Sequence, residues 1–281
     1  MFNHLSVASA FSFKYGTTQP HDLVARAAQF GAPALAITDR DSLAGVIRFV
    51  QAAKDFGIAP IVGVNLALDN SRVTLLAQSG TGTDSGWRSL CRLMSALRPD
   101  RNPPTLHLEN IKTLSEYTSN LILLHGPDSQ IANLITKHRP DQALHEFNKY
   151  RPYFADSVIE CVSHLAPGDG PRSTGHAGRM LGFARDHDLP AVITNGVRML
   201  DAADGPVADI LDAARKLVPL HKRHVERENN EAYLKDNQQM RDLADEISRA
   251  AGERSGRTLL RTTQRIAERC ILSPQEFGLG G

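Results

Sequence analysis

The chain has 281 residues, 41% of them apolar, with 32 Lys and Arg against 31 Asp and Glu for a formal charge of +1. That length and apolar share suit one large α/β domain, or a barrel with a small addition, able to fold alone. The near-zero charge excludes bulk attraction to polyanions and argues against a dedicated DNA-wrapping protein; any nucleic-acid contact has to come from a local patch or a neighbouring domain.

From the amino terminus, residues 19–30 read as a helix, with Pro20 in the first turn, Leu23, Val24, Ala27 and Phe30 as the apolar stripe, and Gly31 as the stop. A strand follows over 34–38, then an amphipathic helix over 43–56 closed by Gly57, then a strand over 58–66. The alternation continues with strands over 73–77, 120–124 and 157–162 and helices over 87–97 and 130–138. A helix over 178–187, a strand over 191–195 and a helix over 203–217 complete the series. About seven βα units, with strands that are mostly continuous apolar runs, predict a parallel sheet covered on its outer face, closed into a barrel or doubly wound. Functional groups then gather at the carboxyl ends of the strands, where Ser6, Arg40, Asn65, His125, His164 and Arg198 fall. Residues 218–238 are polar and charged, and 239–272 are helix formers without a strand signal. The sequence therefore predicts a barrel over 1–217 and a helical appendage over 218–281. The Gly-Leu-Gly-Gly ending reads as a cut or an early stop.

Cys91, Cys161 and Cys270 are odd in number, scattered and without a CxxC pair, which predicts packed thiols in a reducing compartment. No run approaches the roughly 18 apolar residues of a membrane span, and no basic segment followed by an apolar core opens the chain, so a cytoplasmic protein without a membrane partner is expected. Walker-type phosphate loops and Gly-x-Ser-x-Gly nucleophile motifs are absent from the sequence.

His4 to Ser9 with Ser12 and Gly16, then 36–45 (AITDRDSLAG), then 60–65 (PIVGVN) resemble, in order, the PHP (polymerase and histidinol phosphatase) domain of bacterial DNA polymerase III alpha subunits. Residues 73–77 ahead of 87–93, then 194–200 and 230–234, extend that resemblance over nearly the whole chain. It implies a distorted seven-unit βα barrel of PHP type whose intact members bind up to three metal ions at the carboxyl face and hydrolyse phosphoesters. In replicative polymerases the domain serves as a proofreading exonuclease, or as a scaffold for the polymerase body and a separate proofreading subunit.

Matched residue by residue, the family's first histidine is His4, but its HxH partner is Ser6 and the acidic residue shortly after falls on Tyr15. The family's Thr-Asp-His becomes Thr38-Asp39-Arg40, its Gly-x-Glu becomes Gly63-Val64-Asn65, and its Asp-x-His becomes Gly196-Val197-Arg198. Serine, glycine and cationic guanidinium are poor or repulsive partners for a first-row divalent ion. The resemblance thus implies a degenerate site with no metal expected. His4, His125, Glu160 and His164 remain as residual candidates for zinc or manganese, against which Arg40 and Arg198 would set positive charge, about 4 kcal/mol for unit charges ~4 Å apart at an effective dielectric near 20.

Arg40 and Arg198 read either as an anion-binding surface or, preferably, as ion pairs with Asp39, Asp41 or Asp201 that hold the old site closed. Asp39 reads as a helix cap or an arginine partner, and the remaining histidines, His176 among them, as surface or capping residues. Arg257, Arg261, Arg265 and Arg269 form a basic stripe, either solvated or docked on an acidic surface or phosphate backbone. The resulting expectation is a structural and interaction module of an alpha-type polymerase, partnered by the remaining polymerase domains or the proofreading subunit, with DNA reached through the parent. The alternative is a residual metal-dependent phosphoesterase or 3′-5′ exonuclease.

Overall fold

The computed structural model describes residues 1–97, 103–224 and 227–278. Its elements are α1 (Pro20–Gln29), β1 (Ala34–Ile37), α2 (Val46–Phe56), β2 (Ala59–Leu68), β3 (Ser71–Ala77), α3 (Gly86–Ala96), β4 (Thr105–Leu106), α4 (Leu108–Ile111), α5 (Ser115–Thr118), β5 (Leu121–His125), α6 (Gln130–Thr136), α7 (Pro140–Tyr150), β6 (Asp156–Cys161), α8 (Thr174–Asp186), β7 (Ala191–Ile193), α9 (Gly205–Lys216), α10 (Asn237–Ala250) and α11 (Arg257–Cys270). The strands form one curled sheet in the order β1-β2-β3-β5-β6-β7, with β4 beside β2.

Neighbouring strands are parallel except at β3, which runs antiparallel to both β2 and β5. The parallel sheet predicted from the sequence is therefore a mixed one. Asp69 and Asn70 alone join β2 to β3, with Leu68 paired to Ser71; such a link reverses a chain but cannot carry it across the sheet to a parallel start. Asp69 adopts φ +49°, the left-handed conformation that so tight a turn uses.

The amino-terminal segment lies between β1 and the chain that follows β7. On one side Ala36 N donates to His4 O (3.0 Å) and Thr38 N to Val7 O (2.8 Å); on the other Ala8 N donates to Val197 O (2.8 Å) and Val197 N to Ser6 O (2.9 Å). Backbone groups that would otherwise form open edges are thereby paired.

Strand alternation sorts the side chains into an outer and an inner core. Leu35, Ile37, Val62, Val64, Leu66, Leu121 and Leu123 pack outward with Leu23, Phe49 and Leu90 of the helices, while Ala34, Ala36, Ile61, Leu76, Ile122, Leu124, Val158 and Val192 share a separate inner cluster. Ile266, Ala267 and Cys270 of α11 belong to that inner cluster, and Leu272 N donates to Pro60 O (3.0 Å). The helices beyond residue 218 thus share the sheet's core: α10 lies on α8, and α11 on β7 at the amino ends of the strands. Helix α7 and the short elements between 105 and 118 are additions to the predicted series. Among the described residues no helix is long and apolar enough to cross a membrane.

Candidate functional site

At the end of the sheet opposite α11, the inward side chains turn polar. Ser6, Thr38, Asn65, Thr74 and Glu160 line a chamber of about 50 Å³, room for a few water molecules. Outside it opens a cleft of about 610 Å³ whose walls carry Tyr15, Arg40, Arg72, Asp128, Arg172 and Arg198. Glu160 is buried and accepts from Thr194 Oγ1 (2.6 Å). Burial raises its carboxyl above the usual range, with the hydrogen bonds from Thr194 and Ser6 acting against that rise. A Cβ on Gly126 would overlap Glu160 Oε2, so a side chain there would displace the carboxyl.

Among the described residues Asp39 caps no helix and pairs with no arginine. Its buried carboxylate accepts from Ser9 N (2.6 Å), Ser9 Oγ (2.9 Å) and Ser12 Oγ (2.8 Å), tying the loop after the first segment to the end of β1. Desolvation raises its pKa despite these donors.

Three side chains of the mouth, Tyr15, Arg40 and Arg198, meet in one stack. The guanidinium of Arg40 lies 3.4 Å from the ring centroid of Tyr15, and that of Arg198 lies 4.1 Å from the same ring. Cation–π contacts of this kind contribute about 0.5–2 kcal/mol each. Arg198 is spent: its two terminal nitrogens bond Asp212 at 2.9 and 3.2 Å, and Nε and Nη2 both reach Tyr15 O. The ion-pair expectation therefore holds for Arg198 with a different acid, whereas Asp41 goes to Arg72 (2.8 Å) and Asp201 to Arg26 (2.7 Å). Arg40 has the ring instead of a carboxylate. Asn65 accepts from Arg72 Nε (2.8 Å), and Gly196, at φ +49°, brings only backbone to the mouth.

The residual ligand candidates do not converge. His4 Nε2 donates to Lys235 O (2.9 Å) and His164 Nε2 to Asn195 O (2.8 Å), and burial pushes both imidazoles down to about 4. His125 follows Leu121 and Leu123 to the outer face of β5, where its ring sits 5.3 Å from Phe147 and 6.0 Å from Tyr150 of α7. Among the described residues no group of three or more His, Cys, Asp or Glu could hold a metal ion. His176, expected as a surface or capping residue, is buried and donates to Ala132 O (3.1 Å).

Burial pushes the His125 pKa down from 6.5 to about 3, and among the described residues its Nε2 has no hydrogen-bond partner. The unfolded chain therefore takes up a proton below 6.5 that the folded chain refuses until about 3, so stability is lost as the pH falls through that window. Its contribution is up to about 1.4 kcal/mol per pH unit. Urea unfolding of His125→Leu is expected to show a flatter profile from pH 7 to 4.5 and no loss at pH 7. A profile parallel to the parent's would contradict this.

Arg72, Asp128, Arg172 and Asp212 were not among the residues expected at the site. Asp212 left a trace, an acid four residues after Ala208 on the buried face of α9, where a carboxylate requires a cation.

A family model, PHP domain, matches residues 4–164. The chain belongs to the PHP domain family. Within that family it is 34% identical to an error-prone DNA polymerase of Symbiobacterium thermophilum, across 96% of this chain and 25% of the polymerase. It is 30% identical to the DNA polymerase III subunit alpha of Buchnera aphidicola, across 96% of this chain and 23% of that subunit. The chain thus spans about a quarter of the length of these curated relatives. Among solved structures, a protein assigned as a metal-dependent phosphoesterase from Bifidobacterium adolescentis is 14% identical with a TM-score of 0.46, covering 87% of this PHP chain and 95% of its own.

Proposed function

We propose that this PHP domain is a non-catalytic structural and interaction module of an alpha-type DNA polymerase, with its metal-binding mouth rebuilt as a fixed arginine–tyrosine stack. One observation carries the reading: the ring of Tyr15, at the position of an acidic ligand, is contacted by both the Arg40 and the Arg198 guanidinium groups, each at the position of a histidine ligand. Electron-pair donors have been exchanged for cations and an aromatic face, and the metal implied by the family does not fit this donor set. His4 and His164 already spend Nε2 on backbone carbonyls, and Glu160 is a single buried carboxyl with a raised pKa.

In this reading residues 1–217 form a distorted seven-unit barrel of PHP type, and 218–281 form a helical part that closes its floor and leads toward the remaining polymerase domains. The partners are those domains or a proofreading subunit, and DNA is reached through them. The protein works in the cytoplasm.

Elemental analysis of protein purified without chelator is expected to give less than about 0.1 zinc or manganese per chain, in line with a site lacking a tetrahedral or octahedral ligand set. Stoichiometric metal together with chelator-sensitive phosphoesterase or 3′-5′ exonuclease activity would overturn the proposal in favour of the hydrolytic alternative.

A further inference from the structure

The cleft above the stack is walled by five arginines, Arg40, Arg72, Arg172, Arg198 and Arg227, against Asp128 and Glu228. Four of these cations are neutralised: Arg72 by Asp41 (2.8 Å), Arg172 by Asp128 (2.6 Å), Arg198 by Asp212 (2.9 Å) and Arg227 by Asp209 (2.6 Å). Arg40 is the exception. Among the described residues its guanidinium meets no carboxylate and no hydrogen-bond acceptor, and its contact is the face of Tyr15. A cation–π contact uses the plane of the group and leaves its N–H donors free, so the ring fixes the fork without occupying it. Burial presses this guanidinium below its usual range; Tyr15 and Asp128 oppose that, and the positive charges of Arg72 and Arg215 add to it. An anion at this point would relieve the strain on the cation.

The shape of the space selects among anions. Arg40, Arg72 and Arg172 line both the cleft and the small chamber beneath it, and the apolar inner core closes the chamber below. A group enters such a dead end by its tip, which suits a chain terminus and excludes a link that continues in both directions. One fork serves a carboxylate, whereas a phosphomonoester brings about −1.5 to −2 charge and three acceptor oxygens, enough to engage several arginines. A cleft of about 610 Å³ falls within the usual span of small-ligand sites and holds the rest of a nucleotide-sized molecule.

We propose that this cleft binds a terminal phosphate group on a molecule of nucleotide size, with Arg40 as the anchoring fork and Arg72 and Arg172 beside it. The inference rests on the reading of the mouth as metal-free, and makes of that mouth a phosphate receptor in which arginine stands where metal once would.

Calorimetric titration of the whole chain in EDTA tests it, with inorganic phosphate, a deoxynucleoside 5′-monophosphate and a dinucleoside phosphodiester lacking a terminal phosphate. The first two are expected to bind saturably and the diester not. Arg40→Gln is expected to weaken the monophosphate by at least about tenfold, 1.4 kcal/mol, Arg40→Lys to restore part of it, and Arg261→Gln on the exposed face of α11 to leave it unchanged. Should Arg40→Gln fail to fold, protection of Arg40 in the parent chain from phenylglyoxal by phosphate, read by mass spectrometry, decides the matter. Absence of saturable binding, equal binding by Arg40→Gln, equal binding of the diester, or modification of Arg40 unaffected by phosphate each overturns the proposal. With EDTA present throughout, a metal found in untreated protein overturns the metal-free reading and leaves this one standing, whereas phosphate binding that needs added metal sinks the receptor itself.

Discussion

Asp212→Ala is expected to lower the unfolding free energy by about 3–5 kcal/mol, because removing one partner of a buried pair leaves an uncompensated charge. Arg198 is 4% exposed and the Asp212 carboxylate 0%, so water cannot replace what is lost. The same arginine faces Tyr15 and holds Tyr15 O, which means the variant loosens the entire mouth. Set against a typical stability of about 5–15 kcal/mol, the loss is readable as a large fall in urea midpoint. Arg198→Met with Asp212→Leu is expected to recover most of it, since replacing both members of a buried pair by apolar groups is often neutral. A single variant within about 1 kcal/mol of the parent would show that the pair does not hold the mouth.

The same pair predicts acid lability with a definite sign. Burial works to raise the Asp212 pKa, but the hydrogen bond and charge of Arg198, joined by Arg215, outweigh it and leave the group below its ordinary 3.8. A carboxylate depressed in the folded state contributes its stability in full above the unfolded value and loses it as the pH falls through the folded one. The parent chain should therefore weaken below about pH 4 more steeply than Asp212→Asn does.

Local chemistry made some elements readable and long-range pairing hid the rest. Pro20 and Gly31 bracket α1 at the predicted place, and the apolar run at 34–37 is β1, since both depend on neighbours in sequence. The antiparallel β3 escaped prediction although 67–72, between the predicted strands, is too short for a crossover helix; the apolar runs looked alike in either direction. Through the resemblance, Ser6, Tyr15, Arg40, Asn65, Gly196 and Arg198 were legible as groups of the mouth. Their mutual stacking was not, because nothing in the sequence fixes that two distant arginines will share the ring of Tyr15. His125 was misplaced for a simpler reason. It ends a strand whose period-two alternation, Leu121, Leu123, His125, turns it outward, and counting from Ile122 and Leu124 of the inner core would have shown it.

A chain ending at residue 255 is expected not to fold. If α11 belonged to an appendage, its removal would leave the sheet intact; instead Ile266, Ala267 and Cys270, each 0% exposed, fill the inner core among Leu5, Ile61, Leu76 and Val158. Thr263 Oγ1 also accepts from Ile193 N at 2.9 Å, and Arg269 pairs with Asp156 at 2.6 Å, so β6 and β7 lose polar partners together with the apolar floor. Exposing several such side chains at about 1.5–3 kcal/mol each exceeds what a domain of this size holds in reserve. The point variant Ile266→Ala should cost about 2–5 kcal/mol in the intact chain, a loss of transfer energy plus the cavity it leaves. Circular dichroism and limited proteolysis of the truncated chain read the first result, and urea unfolding the second. A truncated chain that unfolds cooperatively at the parent's midpoint would mean that the sheet closes its own floor without α11.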